Sequence, residues 1–182
     1  MKRRTALHVI AAGVVAEGSV LPQHDHRPAS VAAPTDGRLR FFSRAQDELL
    51  DRLTEMIIPA DDHSPGAHAA QVSRFIDNIV ASSAKEVQEQ WTSGLEQVDA
   101  EARRRFEKAF LQCAPGQQEQ ILAAIAAGEP EPKTPLEHFF VRLKLITVDG
   151  YYTSSIGIHR ELQYKGNAVL SEFPGCHHPE HE

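Results

Sequence analysis

Ligating and acid–base side chains gather at four places along this chain. The tail Cys176-His177-His178-Pro179-Glu180-His181 offers a thiolate and imidazoles, good ligands for zinc or copper. Pro179 and the terminal position point instead to a frayed end, which is the favoured reading. His24-Asp25-His26 is a weaker version of the same idea. Further in, Asp61, Asp62, His63 and His68 crowd one short loop, but their spacing fits neither an EF-hand nor a zinc site. Asx turns and a cap for the next helix account for those acids. Tyr151, Tyr152 and His159 could be cast as general acids and bases; with no cofactor motif beside them they read as contact residues.

No convincing catalytic site emerges. The chain contains no G-x-G-x-x-G, no P-loop, no H-E-x-x-H, no C-x-x-C and no C-x-x-C-H. Its ten histidines and many serines allow chance Ser-His-Asp sets, which carry little weight. The expectation is a chain with no catalytic, cofactor-binding or metal-binding residues of its own. Composition, at 41% apolar and 24% charged, is that of a globular domain. With a formal charge of −6 and no basic block beyond Arg103-Arg104-Arg105, nucleic-acid binding is disfavoured. The arginine run sits in an acidic helical pattern and reads as a solvated face.

The elements that would position these residues are all helical. Ser43-Arg44-Ala45-Gln46 has capping-box form, and Leu49, Leu50, Leu53, Met56 and Ile57 follow as one apolar stripe ended by Pro59. Val72, Phe75, Ile76, Ile79 and Val80 define a second helix. A third region, from Ala84 to about Leu111, carries Val87, Trp91, Leu95, Val98, Ala102, Phe106 and Phe110. Gly94 either weakens it or permits close packing, and Asp99 marks a candidate break. Trp91 reads as a core anchor. Pro115 opens a fourth helix with Ile121, Leu122 and Ile125 inward and Gly128 as its stop. After the stiff connector 129–133, Thr134-Pro135-Leu136-Glu137 is a second capping box. Leu136, Phe139, Phe140, Leu143 and Ile146 give the last helix its apolar face, and Gly150 ends it. The fold class is all-α: a compact bundle of about five helices with an irregular C-terminal strap.

That strap runs from Asp149 to Cys176 and holds all three tyrosines and four of the eleven glycines. It lacks helical or strand periodicity, so it reads as an ordered irregular segment, partly inward and partly a recognition surface. Cys113, close to Leu111, reads as a small core residue. Cys176 could bond Cys113, stay free, or bond a partner's cysteine, the last being slightly preferred.

At the other end, Arg3 and Arg4 precede a weakly hydrophobic run from Leu7 to Ala16, resembling a twin-arginine export signal. Such a run spans about 15 Å, half of a hydrocarbon core, so it is no stable transmembrane helix. The expected organisation is a signal segment at 1–21, a flexible tether at 22–40 and one helical domain at 41–182.

Several separated stretches resemble one family. They are Ile58-Pro59-Ala60-Asp61-Asp62, Pro65-Gly66-Ala67, Gly150-Tyr151-Tyr152-Thr153-Ser154, Gly157, Tyr164, Gly166-Asn167 and Phe173-Pro174-Gly175-Cys176. Together they resemble the gluconate 2-dehydrogenase subunit 3 family, over roughly residues 41 to 179. One departure is Gln71, where the family pattern has glycine before Val72. The resemblance implies a non-catalytic small subunit of an exported, FAD-dependent sugar or sugar-acid dehydrogenase. Its implied partner is a large glucose–methanol–choline-type flavoprotein, often joined by a multihaem cytochrome c subunit. The implied location is periplasmic, at the inner membrane through the complex. The expected partner contacts are Tyr151, Tyr152, Tyr164, Gly166, Asn167 and Cys176, with Arg3 and Arg4 directing export. The competing expectation is a free-standing periplasmic helical module that binds a metal or ligand.

Overall fold

The computed structural model describes residues 38–166. The signal segment with Arg3 and Arg4, most of the tether, and Asn167, Cys176 and the histidine tail lie outside the described residues. Six α-helices are described: α1 (Arg44–Ile57), α2 (Gly66–Ala69), α3 (Val72–Ala81), α4 (Lys85–Phe106), α5 (Pro115–Ala126) and α6 (Pro135–Tyr152). A 3-10 turn (Phe110–Gln112) precedes α5, and a π-helical turn (Gly157–Glu161) follows α6. No strand is present among the described residues, so the all-α reading holds, with five helices longer than one turn or so.

Both capping boxes form. Ser43 Oγ accepts the Gln46 N–H while Gln46 reaches back to the Ser43 N–H at 2.9 Å. Thr134 and Glu137 do the same at the start of α6, and two backbone N–H donors hold the Glu137 carboxyl below its usual range. At α5, Pro115 stands in the first turn and Gln117 accepts the Ala114 N–H at 2.9 Å.

The core runs through the predicted stripes. Leu49, Leu50 and Leu53 of α1 meet Val72, Ile76 and Val80 of α3, with α6 packed against both. Trp91 is buried between Phe42 and Phe139, edge to face with each at centroid distances of 6.3 and 5.5 Å. Gly94 belongs to that packing: a β-carbon there would lie 2.1 Å from a Phe139 ring carbon, so α4 and α6 approach only because it has none. Cys113 is buried, and its thiol donates to the Ala109 carbonyl at 3.5 Å. The arginine run lies on the solvated side of α4, where Arg104 and Arg105 pair with Glu101 and Arg103 with Asp99.

The structure corrects three expectations. Helix α4 does not break at Asp99; it runs on to Phe106 and stops at Glu107, which adopts a left-handed φ of 58°. Asp99 instead accepts the Phe110 N–H at 2.9 Å, which redirects the chain and buries Phe110 in the 3-10 turn. Ile79, one of the apolar residues that define the second helix, is 38% exposed. Gly150 does not end the last helix, because it sits within the final turn of α6 against Phe75 and Val72 of α3. The strap therefore begins as helix, with the first two of its tyrosines inside α6.

Chain entry is fixed by a residue no pattern flagged. The buried Asp77 carboxylate accepts the backbone N–H groups of Arg40, Phe41 and Phe42 at 2.7, 3.0 and 2.9 Å. The end of the expected tether is thus already hydrogen-bonded to α3.

Candidate functional site

Two stretches far apart in sequence, the loop 58–68 and the segment 150–157, come together at the C-terminal end of α6. Their link is a buried hydrogen bond between Ser64 Oγ and the Tyr151 hydroxyl. The loop is shaped for that contact by its own acids. Asp61 Oδ1 accepts the His63 and Ser64 N–H groups at 2.8 and 2.7 Å, the expected Asx turn. Those two donors hold the Asp61 carboxyl below its usual range. Glu55 of α1 accepts the N–H of Ala60 at 3.0 Å and of His68 at 2.8 Å. Its carboxylate sits so close to Gly66, at a φ of 81°, that a side chain there would collide with it.

The tyrosines, grouped together in sequence, separate in space. Tyr151 is 0% exposed, and its surface is enclosed by the fold; it is a core residue rather than an outward contact. Tyr152 lies edge-on to it at 5.2 Å and is 38% exposed. Beyond the π-helical turn, Tyr164 is exposed, its N–H donating to the Ile158 carbonyl at 3.0 Å. The His159 ring lies 3.4 Å from the Tyr164 carbonyl. No described hydrogen bond joins His159 to Tyr151 or Tyr152. Gly166 is exposed with a φ of 96°, a value that suits glycine.

Two exposed residues went unnoticed in the sequence. Leu145, at 63% exposure, and Val148 stand outward on α6, and with Tyr152 they recur at steps of three and four. That spacing lines them up as one apolar stripe on the solvent side of the helix. Leu162, in the segment after the helix, is also exposed. The run Leu143 to Val148 is apolar nearly all round, which is the signal that two faces of α6 are involved.

Chemistry has less support. Among the described residues no group of three or more His, Cys, Asp or Glu side chains is arranged to hold a metal ion. A groove of about 590 Å³ between α4 and α6 is open and lined by Glu86, Glu89, Gln90, His138 and Arg142 among others. No helix among the described residues is long and apolar enough to cross a membrane.

Gln71, the departure from the family pattern, takes a left-handed φ of 55° between α2 and α3, a conformation in which glycine is unstrained. The family model described as gluconate 2-dehydrogenase subunit 3 matches residues 44–169. No curated protein and no solved structure gives a match. The matched span takes in both joined stretches and the helices that carry them, and the chain belongs to the gluconate 2-dehydrogenase subunit 3 family.

Proposed function

We propose that this chain is the non-catalytic small subunit of an exported, FAD-dependent dehydrogenase acting on a sugar or sugar acid. In this reading it binds and stabilises a large flavoprotein through the outer face of α6 and the segment that follows. The observation that carries the reading is the Leu145–Val148–Tyr152 stripe, an apolar helix face left open in a fold whose other apolar stripes are mostly covered. Exposed contiguous apolar surface of this kind is typical of protein interfaces. FAD belongs to the large subunit, and a multihaem cytochrome c would be a third component. Arg3 and Arg4 would carry the assembled pair through a twin-arginine route to the periplasm, and Cys176 would form a disulfide with the large subunit.

The test is co-purification from periplasmic and membrane fractions, with flavin absorbance and non-reducing electrophoresis as readouts. Wild-type chain is expected to bring down a flavin-bearing partner. A Leu145→Asp/Val148→Asp variant with unchanged circular dichroism is expected to lose it. Equal recovery by both removes α6 as the docking face. A colourless wild-type chain recovered alone, from cells that make the dehydrogenase, removes the subunit reading and favours a free-standing module. A partner band unchanged by reductant removes the Cys176 bond alone.

A further inference from the structure

A second cluster lies away from the α6 stripe, where the loop after α1 folds back onto that helix. Two α1 carboxylates one turn apart grip the loop. Glu55 holds the N–H groups of Ala60 and His68, and Asp51 Oδ2 lies 2.6 Å from His68 Nδ1. The imidazole is largely exposed while Asp51 is mostly covered, so the ring can exchange protons with solvent without moving its partner. Asp47 and Glu48 of α1 and Arg74 of α3 line the same groove, about 260 Å³, together with Gln71 and Ser73. Arg74 approaches Asp47 at 4.0 Å and Arg44 pairs with Glu48 at 3.2 Å, so the charges that act on the ring are the Asp51 and Glu55 carboxylates. The gripped loop also carries Ser64, whose hydroxyl holds Tyr151 at the end of α6.

We propose that His68 is a pH-sensitive clasp. Its protonated ring pairs with Asp51 and fastens the loop 58–69 to α1. Loss of that proton loosens the loop and, through Ser64 and Tyr151, the point where the chain leaves α6. The inference is independent of which partner the chain binds.

The sign follows from linkage. The hydrogen bond to Asp51, then its charge, raises the His68 pKa above the ordinary histidine value. Stability from such a group is fully present below the unfolded value of about 6.5 and is lost as pH rises through the folded value. The neutral ring can still donate from Nδ1, so the clasp weakens rather than vanishes. Asp51 and Glu55, four residues apart on α1, then repel with no cation between them at His68.

The experiment is an NMR titration of the histidine rings in the full chain, combined with amide exchange corrected for intrinsic rates. In wild type, the His68 midpoint is expected above about 6.5 and should fall in Asp51→Asn. The Ala67, Ala70 and Gln71 amides should lose protection several-fold as pH crosses the midpoint, while α4 amides hold. Thr153 and Ser154 should follow more weakly, and His68→Gln should lack the step. An unshifted midpoint in Asp51→Asn, an unchanged step in His68→Gln, or protection that ignores the midpoint would each overturn the clasp. Should His68→Gln fail to fold, the Asp51→Asn titration decides alone.

Discussion

Helix α6 has two apolar faces with opposite fates. Its inner face presents Phe139, Phe140, Leu143, Thr147, Gly150 and Tyr151, all buried against α1, α3, α4 and α5. Its outer face presents Leu145, Val148 and Tyr152 to solvent. The residue types hardly differ between the faces, and neighbours in sequence stand on opposite sides. What separates them is coverage: the inner face is packed against the other helices of this chain, while the outer face leaves Leu145 63% exposed and Val148 and Tyr152 each 38% exposed. An inner-face side chain therefore acts on folding, and an outer-face side chain acts on association.

The sharpest way to break that contrast is a matched pair of truncations. Leu143→Ala should cost about 2–5 kcal/mol, from lost burial and the cavity left behind. Leu145→Ala should stay within about 0.5 kcal/mol. Urea unfolding of both variants measures it; comparable losses would show that the outer face is covered in the isolated chain. The tyrosine pair offers the next contrast. Tyr151→Phe leaves the buried Ser64 hydroxyl with only the Gly66 N–H as partner and should cost about 1–3 kcal/mol, whereas Tyr152→Phe should change little. Smaller again, and of opposite sign, is Gln71→Gly. Relief of the left-handed strain, less the added freedom of the unfolded chain, should leave a net gain of roughly 0.5–1 kcal/mol. A destabilised Gln71→Gly would mean that the glutamine side chain makes a contact worth more than the strain.

The smallest effect lies on the solvated side of α4, at Glu101. Hydrogen bonds from Arg104, then Arg105, lower the Glu101 pKa to about 2. A depressed carboxylate contributes stability above its unfolded value, and that contribution fades as pH falls from about 4.5 toward 2. Glu101→Gln should therefore lower stability slightly near neutrality and flatten a small part of the acid limb, where wild type loses the same contribution. An unchanged acid limb would mean that these exposed arginines contribute nothing measurable.

Much of this molecule is local and was legible as such. Ser43, Gln46, Thr134, Glu137, Pro59 and Pro115 act on backbone groups within a turn of themselves, so their type and spacing alone locate the helix ends. The 3.6-residue stripes through Leu50, Ile76, Trp91, Ile121 and Leu143 located the five longer helices and most of the core, because burial of one face is a periodic property. The Asx turn at Asp61 was readable for the same reason. Family membership was carried by short motifs whose order is itself a one-dimensional fact.

What the tertiary structure decided was every question of partner. Tyr151 and Tyr152 are adjacent and chemically alike, yet one is enclosed with Ser64 and the other faces out, since consecutive helical residues point about 100° apart. Gly150 looked like a helix stop and is instead the point where α6 touches Phe75 of α3, a role visible only when both helices are present. Asp77 and Glu55 looked like ordinary surface acids until the backbone groups they hold, 35 to 37 residues upstream for Asp77 and up to 13 downstream for Glu55, came beside them. Sequence determined which segments would be helical and where they would begin. Tertiary packing decided which of their faces would be used up within the chain, because coverage depends on neighbours that lie far away along it.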